Sequence, residues 1–195
     1  MKTVQEFLVA FGGNLPSVVG DVPATLNAAL NQLVQNNVEI LGKSRLYHTP
    51  CFPEGAGPDY VNAVVLVAAK LSADDMLVML HDVEEAFGRA RGQGAKRWSG
   101  RALDLDLLAM GDAVRPDLAG FRAWYDLPLE AQMQRAPQGL ILPHPRLSER
   151  AFVLVPLAEV APSWRHPVLG QSAAELCAAL PQAARQEVRA MAQHW

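Results

Sequence analysis

Residues 102–110 read Ala102-Leu103-Asp104-Leu105-Asp106-Leu107-Leu108-Ala109-Met110 and alternate more cleanly than any other stretch of the chain. Neighbouring side chains on a strand point to opposite faces, so Leu103, Leu105 and Leu107 are predicted to enter a core while Asp104 and Asp106 project together from the other face. Upstream, residues 60–71 hold the apolar run Val61, Ala63, Val64, Val65, Leu66 and Val67, which reads as a strand buried on both sides. Residues 7–11 form another buried strand, closed by the turn Gly12-Gly13-Asn14, and residues 38–47 form a fourth. Two amphipathic helices lie between them. The first has Val22, Leu26, Ala29, Leu30, Leu33 and Val34 at helical spacing. The second begins at Ser72, a natural N-cap followed by Asp74 and Asp75 in the first turn, and stops at Gly88.

Downstream, residues 111–139 are polar and irregular, a length that predicts a short helix or a function within the loop. A last short strand is expected at 140–142, a broken apolar helix at 148–160, and one or two helices divided at Pro181 over 171–194. The order β-α-β-β-α-β followed by helices predicts an α+β, ferredoxin-like sandwich, a mostly antiparallel sheet with helices on one face plus C-terminal helices. At 195 residues the chain is expected to be one domain, 1–195. Hydrophobic residues at 50% and charged residues at 19% exclude a disordered chain. A net charge of −3 excludes a generally basic nucleic-acid binder. The longest apolar run, 63–69, is far short of a membrane span, and two cysteines make no disulfide framework. A soluble, cytoplasmic protein is expected.

Four segments carry candidate chemistry. Asp104 and Asp106 lie about 7 Å apart along their strand, where like charges repel by roughly 0.6 kcal/mol in water and roughly 2.4 kcal/mol at an effective dielectric of 20. A cation relieves that repulsion, and Mg²⁺ commonly takes one or two carboxylates and completes its shell with water and phosphate oxygens. Alone, such a pair is more often a solvated face. The stretch directly before it, GRARGQGAKRWSGR at residues 88–101, holds 5 of the 17 lysines and arginines and no acid. That neighbour shifts the reading toward polyphosphate with Mg²⁺, although no P-loop motif is present. Thr49-Pro50-Cys51-Phe52-Pro53, with Tyr60 and Asn62 on one strand face, offers an aromatic platform and an amide suited to a flat heterocycle. Pro143-His144 leading to Arg150-Ala151-Phe152 adds a loop histidine and another cation.

In this order and spacing the segments resemble the 6-hydroxymethyl-7,8-dihydropterin pyrophosphokinase family. The residues that carry the resemblance are Gly12-Gly13-Asn14-Leu15, Tyr47, Thr49-Pro50, Pro58-Asp59-Tyr60-Val61-Asn62-Ala63, Glu84, Gly88-Arg89-Ala90-Arg91, Arg97-Trp98-Ser99-Gly100-Arg101, Leu103-Asp104-Leu105-Asp106, and Pro143-His144 through Phe152. The resemblance implies transfer of pyrophosphate from ATP, the co-substrate, to a pterin alcohol in folate biosynthesis by a monomer. It assigns Asp104 and Asp106 to two Mg²⁺ ions, and Glu84, Arg91, Trp98, Arg101, His144 and Arg150 to ATP. Arg89 and Arg101 would steady the transferring charge. Tyr60 and Phe152 would stack on the pterin, with Thr49, Asn62 and groups at Cys51 and Phe52 meeting its edge.

The sequence departs from the family pattern at Gly13 (usually serine), Pro16, Cys51 (where a second proline is common) and His81. An arginine found shortly before the Pro-His pair in some members is absent, with Gly139 in its place. An insertion spans about 114–138, and its arginines Arg115, Arg122 and Arg135 either replace the missing one or belong to a peripheral cap. Two other readings remain from the residues alone. An RNA-recognition module shares the element order, but its central strand presents aromatics rather than aspartates. Another Mg-dependent nucleotide phosphotransferase or phosphohydrolase would act on ATP without a pterin.

Overall fold

The computed structural model describes residues 3–51, 55, 57–88, 100–128, 130–131, 135, 137–193 and 195. Strand β1 is Gln5–Gly13, β2 Glu39–Lys43, β3 Tyr47–Thr49, β4 Tyr60–Ala69, β5 Asp104–Met110 and β6 Arg189–Ala190; helices are α1 Val22–Gln35, α2 Ala73–Ala86, α3 Leu118–Tyr125, α4 Ala151–Val160, α5 Ala173–Ala179 and α6 Gln182–Glu187. The strands form one antiparallel sheet in the order β5-β1-β4-β3-β6, with β2 paired to the far half of β4. Side-chain caps set the helix starts. Asp21 accepts the Ala24 N–H at 2.9 Å, and Ser72 and Asp75 form a reciprocal capping box.

Helices cover both faces of the sheet rather than the one expected. On the first face Phe7, Val9, Val65, Leu105 and Leu107 meet Leu26 and Leu33 of α1 and Met76 and Leu80 of α2. On the second, Leu8, Val64 and Leu108 meet Val153, Leu154 and Leu157 of α4 and Leu176 of α5. The reason is compositional: β1, β4 and the end of β5 are apolar at consecutive positions, and each side demands a cover. Asp104 and Asp106 escape it because they stand at the start of β5, before Leu108 turns that face apolar.

Other expectations shift locally. The strand foreseen at 38–47 divides, because Ser44 Oγ accepts the Val64 N–H at 3.0 Å while its own N–H donates to the Val64 carbonyl at 3.0 Å. Residues 140–142 form no strand; Leu142 exchanges two backbone hydrogen bonds with Arg115, and Pro116 and Pro143, which lack an N–H, follow each partner. The apolar segment near 148–160 is broken as expected, a 3₁₀ turn at Leu147–Glu149 preceding α4. The terminal helices do divide at Pro181, but the two-residue strand β6 beyond them is too short to leave a periodic signal.

Helix α3, within the stretch expected to be an insertion, packs onto the C-terminal segment. Phe121 of α3 is fully buried, stacked on Tyr125 at 5.5 Å and edge-on to His166 at 5.7 Å. His166 is itself buried, and its Nδ1 accepts the N–H groups of Val168 and Leu169, both at 3.2 Å. Burial lowers the His166 pKa to about 4. The unfolded chain therefore binds this proton more readily, and the stability that neutral His166 contributes is present above pH 6.5 and lost as pH falls toward 4. His166→Asn keeps an acceptor for the turn without a titrating group. Urea unfolding between pH 7 and 4.5 should show the wild type losing up to about 1.4 kcal/mol per pH unit more than the variant; parallel slopes would contradict this origin of acid sensitivity.

Candidate active site

The sheet register builds the site. Gly12 of β1 pairs with Asn62 of β4 on one side and Asp104 of β5 on the other, and Ala10 pairs with Val64 and Asp106. Small residues on the central strand leave a cleft above it, lined by Ala10, Phe11, Gly12, Asn62, Ala63, Asp104, Asp106 and Phe152. A Cβ at Gly12 would lie 2.8 Å from Asn62 Oδ1, so glycine is required for the amide to lie across this strand. Asn62 is buried and donates from Nδ2 to Thr49 Oγ1 at 2.7 Å, which leaves the threonine hydroxyl its own proton to offer. Two residues assigned to one ligand edge from the sequence thus already form a hydrogen-bonded pair.

The aspartates each have a guanidinium neighbour. Arg101 Nη1 donates to Asp104 Oδ1 at 2.5 Å, and Arg150 Nη1 stands 3.5 Å from Asp106 Oδ2. Both carboxylates remain accessible, with 26% and 39% of the side-chain surface exposed. Burial works most strongly against the Arg101 charge, but the charge and hydrogen bond of Asp104, with Asp106 and Tyr60, together outweigh it and raise the arginine pKa. Glu84 is wholly buried, and its Oε1 accepts the Leu105 N–H at 2.8 Å. It therefore holds the peptide that lies between Asp104 and Asp106.

At the other edge, the His144 N–H donates to the Leu108 carbonyl at 2.7 Å, and its Nδ1 accepts the Arg146 N–H at 3.1 Å. That bond places the proton of the neutral ring on Nε2. Burial first, then the charges of Arg150 and Arg146, lower its pKa to about 3, so His144 is an uncharged N–H donor at neutral pH. Arg146 has a buried Nε that lacks a hydrogen-bond partner among the described residues, although Glu149 Oε2 stands 3.9 Å from it. Phe152 is 39% exposed at the start of α4, with the Arg150 guanidinium 5.6 Å from its ring centroid.

Tyr60, one strand pairing from Thr49, has its hydroxyl pKa raised by burial first and then by the Cys51 thiol, with Arg101 opposing. The Cys51 N–H is taken by Asp59 Oδ1 at 3.0 Å, and Asp59 Oδ2 lies 3.3 Å from His48 Nε2. Phe52, Arg89, Arg91 and Trp98 lie outside the described residues. The Arg115 guanidinium pairs at 2.8 Å with Asp74 in the first turn of α2.

The family described as 7,8-dihydro-6-hydroxymethylpterin-pyrophosphokinase matches residues 8–162. The chain belongs to this family. It is 34% identical over 170 residues to the 2-amino-4-hydroxy-6-hydroxymethyldihydropteridine pyrophosphokinase of Synechocystis, covering 87% of this chain and 73% of that one. It is 32% identical over 149 residues to the Methylorubrum extorquens protein of the same name, covering 76% and 80%. Among solved structures, wild-type HPPK-DHPS of Plasmodium falciparum superposes with a TM-score of 0.62 at 15% identity, over 91% of this chain and 45% of that larger one. The same protein with pteroate gives 0.61 at 14%, over 91% and 42%. The present chain thus spans less than half the length of those proteins, and they share its fold.

Within the pyrophosphokinase family pattern, the departure at Gly13 has a local cause. A Cβ there would sit 2.5 Å from the Ala102 carbonyl, so a serine would force the strand leading to Asp104 outward. Residues 163–195, including β6, lie beyond the family match, yet Trp195 packs edge-on against Phe11 at 5.4 Å and donates to the Ser44 carbonyl at 2.8 Å. The Gly12 contact is directly testable. Gly12→Ala should lower the free energy of unfolding by about 1–3 kcal/mol in a urea titration, and unchanged stability would show that Asn62 has room to move.

Proposed function

We infer that the chain transfers pyrophosphate from ATP to 6-hydroxymethyl-7,8-dihydropterin, giving AMP and the pterin diphosphate, in folate biosynthesis. The carrying observation is the pair Asp104 and Asp106, held on one accessible strand face between two guanidinium groups and beside the Asn62–Thr49 pair. The shared name of the curated relatives favours this reaction over another nucleotide phosphotransferase or a phosphohydrolase.

The donor set fits Mg²⁺. Two hard carboxylate oxygens project into one cleft, and no group of three or more metal-binding side chains occurs among the described residues, which leaves the remaining positions for water and phosphate. Asp104 and Asp106 would hold two ions; when bound, they supply charge neutralisation on the phosphate oxygens. Arg101, with Arg89, steadies the charge that develops as the transferring group moves. Glu84, Arg91, Trp98, His144 and Arg150 serve the ATP side. His144 offers a neutral N–H, and Glu84 acts through the Leu105 peptide.

Tyr60 and Phe152 bracket the pterin ring, and Thr49, Asn62 and groups at Cys51 and Phe52 meet its edge. The pterin hydroxyl oxygen bonds to the β-phosphorus as the bond from that phosphorus to the α–β bridging oxygen breaks. AMP leaves with the electron pair, and the hydroxyl proton passes to solvent. Such a transfer is governed by alignment and charge rather than by covalent assistance. We place the reaction in the cytoplasm, carried out by a single-domain monomer; in support, Cys51 and Cys177 are free thiols, and among the described residues no helix is long and apolar enough to cross a membrane.

Asp104→Asn and Asp106→Asn should each lower kcat by at least about 10²–10³ while circular dichroism and the melting temperature stay near wild type, since neither side chain is in the core. Full activity in either variant would remove that residue from the metal site. Tyr60→Ala should weaken pterin binding in calorimetry and leave binding of an ATP analogue nearly intact. Equal loss of both would mean a damaged fold instead.

A further inference from the structure

Strand β3 ends at Thr49, opposite Tyr60, and the residue after it is Pro50, which has no N–H with which to extend the ladder. The next amide able to anchor the chain is that of Cys51, and Asp59 takes it: Oδ1 accepts the Cys51 N–H at 3.0 Å. The other carboxylate oxygen lies 3.3 Å from His48 Nε2. His48 faces away from Thr49 on its strand, so this contact sets the Asp59 carboxylate on the side opposite Thr49, Tyr60 and Asn62. The peptide entering Asp59 is itself held, because the Pro58 carbonyl accepts Asn14 Nδ2 at 3.1 Å while Asn14 Oδ1 takes the Arg101 N–H at 2.8 Å.

Asp59 therefore holds a backbone group of the pterin side without facing the pterin. The Cys51 thiol stands close enough to the Tyr60 hydroxyl to raise its pKa, second only to burial. A proline at position 51, common in the family, has no N–H for Asp59 to take, so this bond depends on the cysteine. We propose that Asp59 is a positioning residue for the pterin, which fixes Cys51 at the edge of the ring through the Cys51 N–H. His48 and Asp59 are 47% and 46% exposed, where an ion pair contributes little, so the acceptor oxygen rather than the charge is what holds the segment. The proposal rests on the functional reading above.

The test is steady-state AMP formation with the pterin varied at saturating Mg-ATP. Asp59→Ala should raise the pterin KM at least about 5-fold, the scale for one lost hydrogen bond to a charged acceptor, with kcat and the ATP KM within about 2-fold of wild type. Asp59→Asn, which keeps an acceptor oxygen without the charge, should return the pterin KM to within about 2-fold of wild type. In a Cys51→Pro background, Asp59→Ala should change the pterin KM by less than about 2-fold, since the bond is already gone. A wild-type KM in Asp59→Ala, a raised KM in Asp59→Asn, or an undiminished effect in the proline background overturns the proposal. A parallel fall in kcat does so too, because it assigns Asp59 to turnover or folding instead of ligand placement. If Asp59→Ala does not fold, amide exchange on the wild type decides: the Cys51 N–H must exchange at least about 10-fold more slowly than an unstructured amide, and an unprotected rate overturns the bond. A wild type that forms no AMP with the pterin overturns the proposed function and this inference with it, whereas normal turnover that is indifferent to Asp59 overturns the inference alone.

Discussion

The position of β1 between β4 and β5 is the constraint on which the rest depends. Its register sets Asn62, Gly12 and Asp104 in one row across the sheet and Ala10 beside Asp106 in the next. The Asn62 amide and two carboxylates therefore stand a strand apart without any loop having to bring them together. A site on strands is fixed by the same hydrogen bonds that hold the sheet, and side-chain error there is smaller than on loops. The cleft is open because the central strand carries only small residues on that face, Ala10 and Gly12, after the larger Leu8.

Charge is managed around that row rather than within it. Asp104 and Asp106 would repel each other, and Arg101 and Arg150 offset this from opposite ends of the chain segment. Glu84, buried below, accepts a backbone donor and fixes the strand instead of meeting solvent. His144, held neutral, adds a donor without adding charge to a corner that already contains Arg146 and Arg150. The arrangement keeps Arg101 and Arg150 beside the two carboxylates, on segments that other groups position.

Much of this was legible in the chain itself. The alternation of Leu103, Leu105 and Leu107 with two aspartates gave the strand, its buried face and its accessible face, because a period of two has one structural meaning. The helix start at Ser72 was readable from its cap. What was not legible depended on contacts between distant segments. Nothing near Glu84 in sequence shows that its carboxylate meets the Leu105 peptide, nor that Asn14 reaches both Arg101 and Pro58. The second helical layer could have been anticipated from the unbroken apolar run of β4, which cannot leave either face to water. The docking of Phe121 on His166, and the strand at Arg189–Ala190, are consequences of packing that no local pattern records.

The central claim is that the cleft aligns a pterin hydroxyl with the β-phosphorus of ATP, and isotope tracing tests it most directly. With Mg²⁺, pterin and ATP labelled in turn at the α- or γ-phosphorus, the account predicts α-label in AMP and γ-label in the pterin product, neither appearing without pterin. Release of γ-label as free phosphate, or formation of ADP, would contradict it.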